Sequence, residues 1–333
     1  MRVTCPSPAQ FQPGGSYSMR GRRLSRRLRS LGIRFRLPPN LVGPANLHCM
    51  TAVGQRQPMK HRTGGNSLGT DTGSGGDFRV LAVVPTLGAR LDTLGRTLNS
   101  IVGQTGIKVD AIVVSKSVST ELSAVASSCG ATVLRHDGHI SAAINAGLAA
   151  AGDRHRYMFW LGDDDLLRPG ALADACRALE RNPSAAVCYG CCDYVDLEGN
   201  LLFRRCPPVF APFLLRFVPG LIKQETCLFR LRDIKLVGGL DEDLRYTMDL
   251  DLLLRLQKVG RFVRVNRVLA AFCWHPGSLT IANRQTSLAE AQAVQSRHVK
   301  GATAVLFALL KNPVRRLIVY LDQRINRNSL RTA

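Results

Sequence analysis

Three carboxylates stand side by side in 159-FWLGDDDLLRPGAL-172, directly behind an apolar run. Carboxylates at the end of a strand bind hard cations, and Mg²⁺ or Mn²⁺ held by one or two of them typically keeps waters and takes substrate phosphates. The competing use is structural, because aspartates ahead of a helix opened by Pro169 would satisfy its free N–H groups. One aspartate suffices for a cap. Three together in a basic protein point to a metal site at Asp163, Asp164 and Asp165.

The surrounding elements would hold such a site in place. Val80 to Val84 is a continuous apolar run closed by Pro85, the pattern of a strand buried on both faces. Leu91, Leu94, Leu98, Ile101 and Val102 then recur at helical spacing. Strands are expected at 109–115, 131–136 and 156–162, with helices over 119–130 and 141–152 between them. This alternation predicts an α/β, doubly wound, mostly parallel sheet with flanking helices. In such sheets ligands sit at the carboxyl ends of strands, where the three aspartates lie.

Beyond them the pattern predicts a helix from Pro169 to the Asn182-Pro183 pair and a strand over 185–195. A turn at 196–200 and a Pro/Phe-rich loop at 207–221 follow. A strand-like stretch at 222–231, a helix in the second part of 238–260 and two short strands within 262–275 complete this half. Residues 285–327 read as two helices broken at Asn312-Pro313, the second apolar on one side and Arg-rich on the other. Residues 1–76 read as a basic, Gly/Ser-rich disordered extension or a misassigned start, 77–283 as the catalytic domain, and 284–333 as C-terminal amphipathic helices.

The charge balance narrows the function. The 333 residues carry 45 Lys and Arg against 24 Asp and Glu, a net +21. Residues 1–76 hold twelve of the basic side chains and one acid, so about half the excess sits there. The remainder suits anionic nucleotides or anionic lipid. No recognition-helix, zinc-finger or RNP-like pattern supports nucleic acid as a partner. Ten cysteines without framework spacing read as plain thiols in a reducing cytoplasm. No stretch of eighteen apolar residues predicts a membrane span, and no apolar region with a small-residue cleavage site follows the basic stretch at 20–37. A cytoplasmic protein is expected, with peripheral contact at the inner face of the plasma membrane as a further reading.

There is no G-x-G-x-x-G after the first strand and no G-x-x-x-x-G-K-[ST] anywhere, so dinucleotide redox chemistry and P-loop hydrolysis lose their main support. A metal–phosphate site without a P-loop leaves nucleotidyl and glycosyl transfer from nucleotide donors. Five segments in order carry a closer match: "VVPTLGARLDTLGRTLNSIVGQT", "HDGHISAAINAGLAAAGD", "FWLGDDDLLRPGAL", "VGGLDEDLRYTMDLDLLLRL" and "CWHPGSLT". From Phe78 to His275 the chain resembles the family 2 glycosyltransferases, enzymes of the GT-A fold with a DxD motif.

That resemblance implies inverting transfer of a sugar from a nucleotide-diphosphate donor to an acceptor hydroxyl. By position it implies Asp165 as the direct ligand of a divalent cation (Mg²⁺ or Mn²⁺) and His275 as a further ligand. Asp163 would lie nearer the donor ribose or sugar, and Asp164 takes either role if the register slips by one. It implies Asp249 as the general base, with Asp251 as the alternative on another helix face. Pro85 and Thr86 match the loop that contacts the nucleotide base, and Asp137 and Asn145 fall where donor contacts fall. Where many members carry a paired-aspartate turn after the second strand, this chain reads 113-VVSKSVST-120, with Ser115 or Lys116 in place of the acid.

The expected activity is therefore metal-assisted glycosyl transfer in building a cell-envelope polysaccharide or glycolipid. Its partners would be a nucleotide-sugar donor and a saccharide or lipid-linked acceptor. Two other readings stand beside it: a catalytically inactive homologue acting as a scaffold, which the altered 113–120 turn supports, and a nucleotidyltransferase. The latter lacks its usual Gly-rich, Lys/Arg-bearing loop, since 84-VPTLGARLD-92 has only Gly88 and Arg90.

Overall fold

The computed structural model describes residues 78–275, 283–310, 312–313 and 316. The expected extension at 1–76 and the Arg-rich helix past Pro313 therefore lie outside the described residues, apart from Arg316. Strand β1 (Arg79–Thr86) is flanked in parallel by β2 (Lys108–Ser115) and β4 (His155–Trp160), and β2 in turn by β3 (Thr132–Arg135). Leu81 and Val83 feed one core, whereas Val80, Ala82 and Val84 feed the other. All five are fully buried, as a run without alternation requires in a sheet covered on both faces.

Helices α1 (Leu91–Val102), α2 (Thr120–Ser128) and α3 (Ile140–Ala149) make the crossovers. Ser119 caps α2 by accepting the Leu122 N–H at 3.1 Å. Helix α3 lies very close to β1 because its small residues permit it. A Cβ on Gly147 would stand 2.6 Å from both γ-carbons of Val83.

The other half of the sheet is mixed. Short β5 (Leu166–Leu167) leads into α4 (Ala171–Glu180), and β6 (Ala185–Val195) is buried along its whole length. Next come β7 (Leu201–Arg205), α5 (Ala211–Leu214), β8 (Leu228–Arg230), α6 (Leu231–Leu236) and α7 (Met248–Leu256). Strand β9 (Arg261–Cys273) and helix α8 (Arg284–His298) follow. The sheet order is β3-β2-β1-β4-β8-β6-β9-β5, with β7 beside β6. Strand β6 runs parallel to β9 and antiparallel to β8 and β7. Ala291 and Val294 of α8 are buried in the same core as Leu253 and Leu256 of α7.

Several sequence expectations need correcting. The 222–231 stretch is not one strand, because Gln224–Thr226 forms a 3₁₀ turn before β8. The two strands expected in 262–275 are one thirteen-residue strand, held by pairing with β6 along its length. The C-terminal helices break near Gly301, which adopts φ 56°, and residues 312 and 313 are themselves helical. The expectation of plain thiols fails at Cys191 and Cys206, which are joined in a disulfide. Cys192 pairs with Arg205 across β6 and β7, and this register sets the two cysteines opposite one another.

The Gly147 contact can be tested. Alanine gains up to about 1 kcal/mol of helix propensity over glycine, but the new methyl meets an immobile buried valine. Gly147→Ala should therefore lower stability by about 1–3 kcal/mol, read as a lower urea midpoint.

Candidate active site

The carboxyl ends of β1 and β4 converge on the three aspartates. Leu161 N–H extends the β4 ladder to the Val83 carbonyl at 3.1 Å, and the chain turns at Gly162, whose carbonyl accepts Asp165 N–H at 3.3 Å. Strand β5 then pairs with Ala270 and Ala271 of β9, fixing the far side of the turn. The turn does not cap α4, whose N-cap is Gly170 with no side-chain bond.

Each carboxylate has its own partner. Thr86 Oγ1 donates to Asp163 Oδ2 at 2.6 Å and accepts Gly88 N–H at 2.9 Å. Asp165 Oδ1 accepts Cys273 N–H at 3.0 Å. Asp164 Oδ2 lies 2.7 Å from His275 Nε2. Arg90 spans the group, donating to Asp163 Oδ1 at 2.6 Å and Asp164 Oδ2 at 2.8 Å, with the latter nitrogen 3.0 Å from His275 Nε2. That ring nitrogen can donate to Asp164 or accept from Arg90, but one tautomer cannot do both.

A second charged group lies below. Lys223 Nζ sits 3.1 Å from Glu225 Oε1 and 3.9 Å from the Phe272 ring centroid. Glu225 is buried, and among the described residues its Oε2 has no hydrogen-bond partner. Burial, followed by the charges of Glu225 and Asp164, pushes Asp165 well above the usual carboxylate range. Burial also raises Asp249 to about 6, against the stabilising effects of Leu250 N–H and Lys223. Burial alone would depress the Lys223 amine, but Glu225, Tyr194, Cys192 and Asp165 hold it above its ordinary value. Lys223 is thus the cation that limits repulsion between Asp165, Glu225 and Asp249.

The helix α7 separates its two aspartates. Asp249, in the first turn, is among the groups influenced by Lys223 and Glu225. Asp251 instead lies 2.7 Å from Arg255 Nε and 3.4 Å from His298 Nε2 of α8. Asn145 is likewise committed elsewhere: its amide donates to the Leu240 carbonyl and Glu242, and accepts Leu240 N–H at 2.9 Å. Asp137 is exposed, with Arg135 at 4.0 Å. Pro85 and Thr86 end β1 opposite Val114 and Ser115. Ser115 Oγ donates to the Ser117 carbonyl at 2.9 Å, so this turn is closed without an acidic side chain.

Among the described residues, no three His, Cys, Asp or Glu side chains are arranged to hold a metal ion. The donor types nevertheless suit one, since hard carboxylate oxygens with an imidazole match Mg²⁺ or Mn²⁺. The stand-in is Arg90, a cation already gathered by Asp163 and Asp164. Sequence reasoning missed Arg90, Lys223 and Glu225. Arg90 carried a signal, being a lone base four residues past Thr86 at the end of β1.

A parallel β1–β4 half with aspartates at its strand ends, joined to a mixed half that carries an acidic helix, is the GT-A arrangement. The model of Glycosyl transferase family 2 matches residues 81–232. A chondroitin synthase of Pasteurella multocida is 26% identical over 151 residues, 45% of this chain but 15% of that protein. Two solved structures share the fold. S. aureus TarS 1–349 in complex with UDP-GlcNAc has a TM-score of 0.52 at 13% identity, covering 71% of this chain and 70% of that one. Mannosyltransferase PcManGT from Pyrobaculum calidifontis, in complex with GDP-Man and Mn²⁺, has a TM-score of 0.50 at 18% identity, covering 67% and 65%.

The two aspartates of α7 should separate experimentally. Asp251→Asn leaves Arg255 and His298 without their carboxylate and should cost about 3 kcal/mol. Asp249 has a folded pKa above its unfolded value, so its ionisation removes stability as pH rises through about 6. Asp249→Asn escapes that loss. Its melting temperature relative to the unsubstituted protein should rise between pH 4 and pH 7, whereas that of Asp251→Asn should stay below it at pH 7. A falling difference for Asp249→Asn over that range would contradict the assigned shift.

Proposed function

We propose that this chain transfers a sugar, with inversion, from a nucleoside-diphosphate donor to an acceptor hydroxyl. The observation that carries the reading is the placement of three differently partnered aspartates at the ends of β1 and β4, with Asp249 raised to about 6 beyond Lys223 and Glu225. The family match and two nucleotide-sugar-bound neighbours support it. The catalytic domain is 77–283, and the described helices over 284–298 and 302–310 follow it.

A divalent ion at Asp165, with Asp163, Asp164 and His275 around it, would supply charge neutralisation for the diphosphate leaving group. The Mn²⁺ in the mannosyltransferase complex supports this use. Pro85 and Thr86 line the donor's base, while Asp163, held by Thr86, faces its ribose or sugar. Asp249 accepts the acceptor hydroxyl's proton as that oxygen forms its bond to the anomeric carbon and the bond to the diphosphate breaks. A carboxylate near 6 suits this work, being ionised at neutral pH yet basic enough to take a proton. Asp137 and Asn145 are further donor contacts in this reading, the second also bracing the 238–242 turn.

The apolar outer surface supports a lipid-linked acceptor or peripheral contact with anionic membrane. Val209, Phe210 and Phe213 of the 207–221 loop are exposed, as are Val305 and Leu309 of the helix over 302–310. Among the described residues no helix is long and apolar enough to cross a membrane. If this surface meets lipid, the protein should sediment with anionic vesicles, and Phe210→Ser with Phe213→Ser should leave it in the supernatant. Equal partitioning of both proteins would remove this part of the proposal.

The reaction is tested by hydrolysis and transfer assays over UDP-, GDP-, dTDP- and CDP-sugars with Mn²⁺. Asp249→Asn should lower kcat by about 10²–10⁴-fold while nucleotide binding persists. The rate in the unsubstituted enzyme should fall as pH drops below about 6, following Asp249. Folded protein that binds none of these nucleotides would support the scaffold reading, which the non-acidic turn at Ser115 also favours.

A further inference from the structure

We infer that Arg90 is an internal cation that closes the Asp163–Asp164–His275 cluster, and that a divalent ion entering there must displace its guanidinium, which then serves the donor's diphosphate. The second half rests on the donor reading above; the first does not.

The geometry forces a competition. The Arg90 nitrogen lies 2.8 Å from Asp164 Oδ2 and 3.0 Å from His275 Nε2, and the second guanidinium nitrogen lies 2.6 Å from Asp163 Oδ1. An ion seated at Asp165 and His275 would draw on this same ring nitrogen and on the Asp163 and Asp164 oxygens beside it. A guanidinium and a divalent ion cannot share them, for reasons of both space and like charge.

The two sides of the pairing differ in freedom. Asp163 and Asp164 are nearly enclosed, with side chains 9% and 12% exposed, whereas Arg90 is 42% exposed. Its backbone leads into α1 with no side-chain cap, from a loop that Gly88 turns at φ 74° beside the exposed Leu87. The arginine is the member with somewhere to go. A displaced guanidinium beside a metal-bound diphosphate would meet an acceptor group that its planar donors match in pairs.

Guanidinium and ion would then alternate on the carboxylates, which never stand uncompensated. Without Arg90 the cluster would be three adjacent carboxylates in a low-dielectric pocket, with the charge of Lys223 still acting on Asp165.

The test measures Mn²⁺ binding by electron paramagnetic resonance, without nucleotide, for the unsubstituted protein, Arg90→Gln and Arg96→Gln. Arg96 is a nearby base on α1 whose hydrogen bonds among the described residues go to the Leu197 carbonyl, so it controls for simple loss of charge. Arg90→Gln should bind Mn²⁺ about tenfold more tightly than the unsubstituted protein, and Arg96→Gln less than about threefold more tightly. Equal affinity in all three, equal gains in both variants, or no Mn²⁺ binding by any of them would overturn the inference. With Mn²⁺ saturating, Arg90→Gln should bind UDP or GDP about tenfold more weakly. Unchanged nucleotide affinity would remove the role toward diphosphate. If neither protein binds nucleotide, the donor reading fails instead, and the Mn²⁺ comparison still decides the competition.

Discussion

Compensation of buried negative charge is the constraint on which this structure turns. Asp163, Asp164, Asp165, Glu225 and Asp249 crowd one end of the sheet, and charged carboxylates are tolerated out of water only with partners. Arg90 meets Asp163 and Asp164, His275 meets Asp164, Thr86 and Cys273 N–H meet Asp163 and Asp165, and Lys223 pairs with Glu225. The parallel half of the sheet supplies Thr86 and Arg90, whereas the mixed half supplies Cys273, His275 and Lys223. Neither half can hold the cluster alone. The same demand recurs on β6, where fully buried Asp193 sits between Arg168 and Arg204. Burial alone would raise its pKa, yet the two guanidinium groups hold it below the ordinary range.

Helix α7 shows how closely two identical residue types can differ in use. Asp249 and Asp251 are two positions apart, and a helix turns by about 200° over that interval. One side chain is directed into the electrostatic neighbourhood of Lys223. The other pairs with Arg255 of its own helix and reaches α8 through His298. Sequence pattern marks both as acids in a first turn, and the charges of Lys223 and Glu225 on one side and the partners Arg255 and His298 on the other distinguish them.

Much of the fold was legible because its cues were local. The apolar run at 80–84, the helical spacing from Leu91 and the alternation through Trp160 each need only neighbouring residues, and all correspond to elements of the parallel half. The mixed half was harder. Its strands pair at long range, so β9 reads as two short strands until β6 is seen beside it, and 222–231 reads as one strand although Gln224 turns to donate to the Trp160 carbonyl. The aspartate triplet was legible from composition alone. Arg90, Lys223 and Glu225 were not, because their meaning lies in what they oppose across the site. The Cys191–Cys206 bond was hidden for the same reason, since it depends on a strand register.

Strand β9 sets a limit on how descendants of this sequence can diverge. Its last residues hold β5 through Ala270 and Ala271, present the N–H that receives Asp165, and then deliver His275 to Asp164. Gaining or losing one residue between Ala270 and His275 would turn each side chain to the opposite face of the sheet and break all three relations together. The 207–221 loop carries no such register, being anchored by buried Ala211, Leu215 and Phe217 and by Tyr189, Gln257 and Gln295, which donate to its carbonyls. Lineages could vary its exposed positions, such as Val209, Phe210 and Phe213, more readily. Change in what the surface meets would then accumulate there, on a chemical floor that β9 keeps fixed.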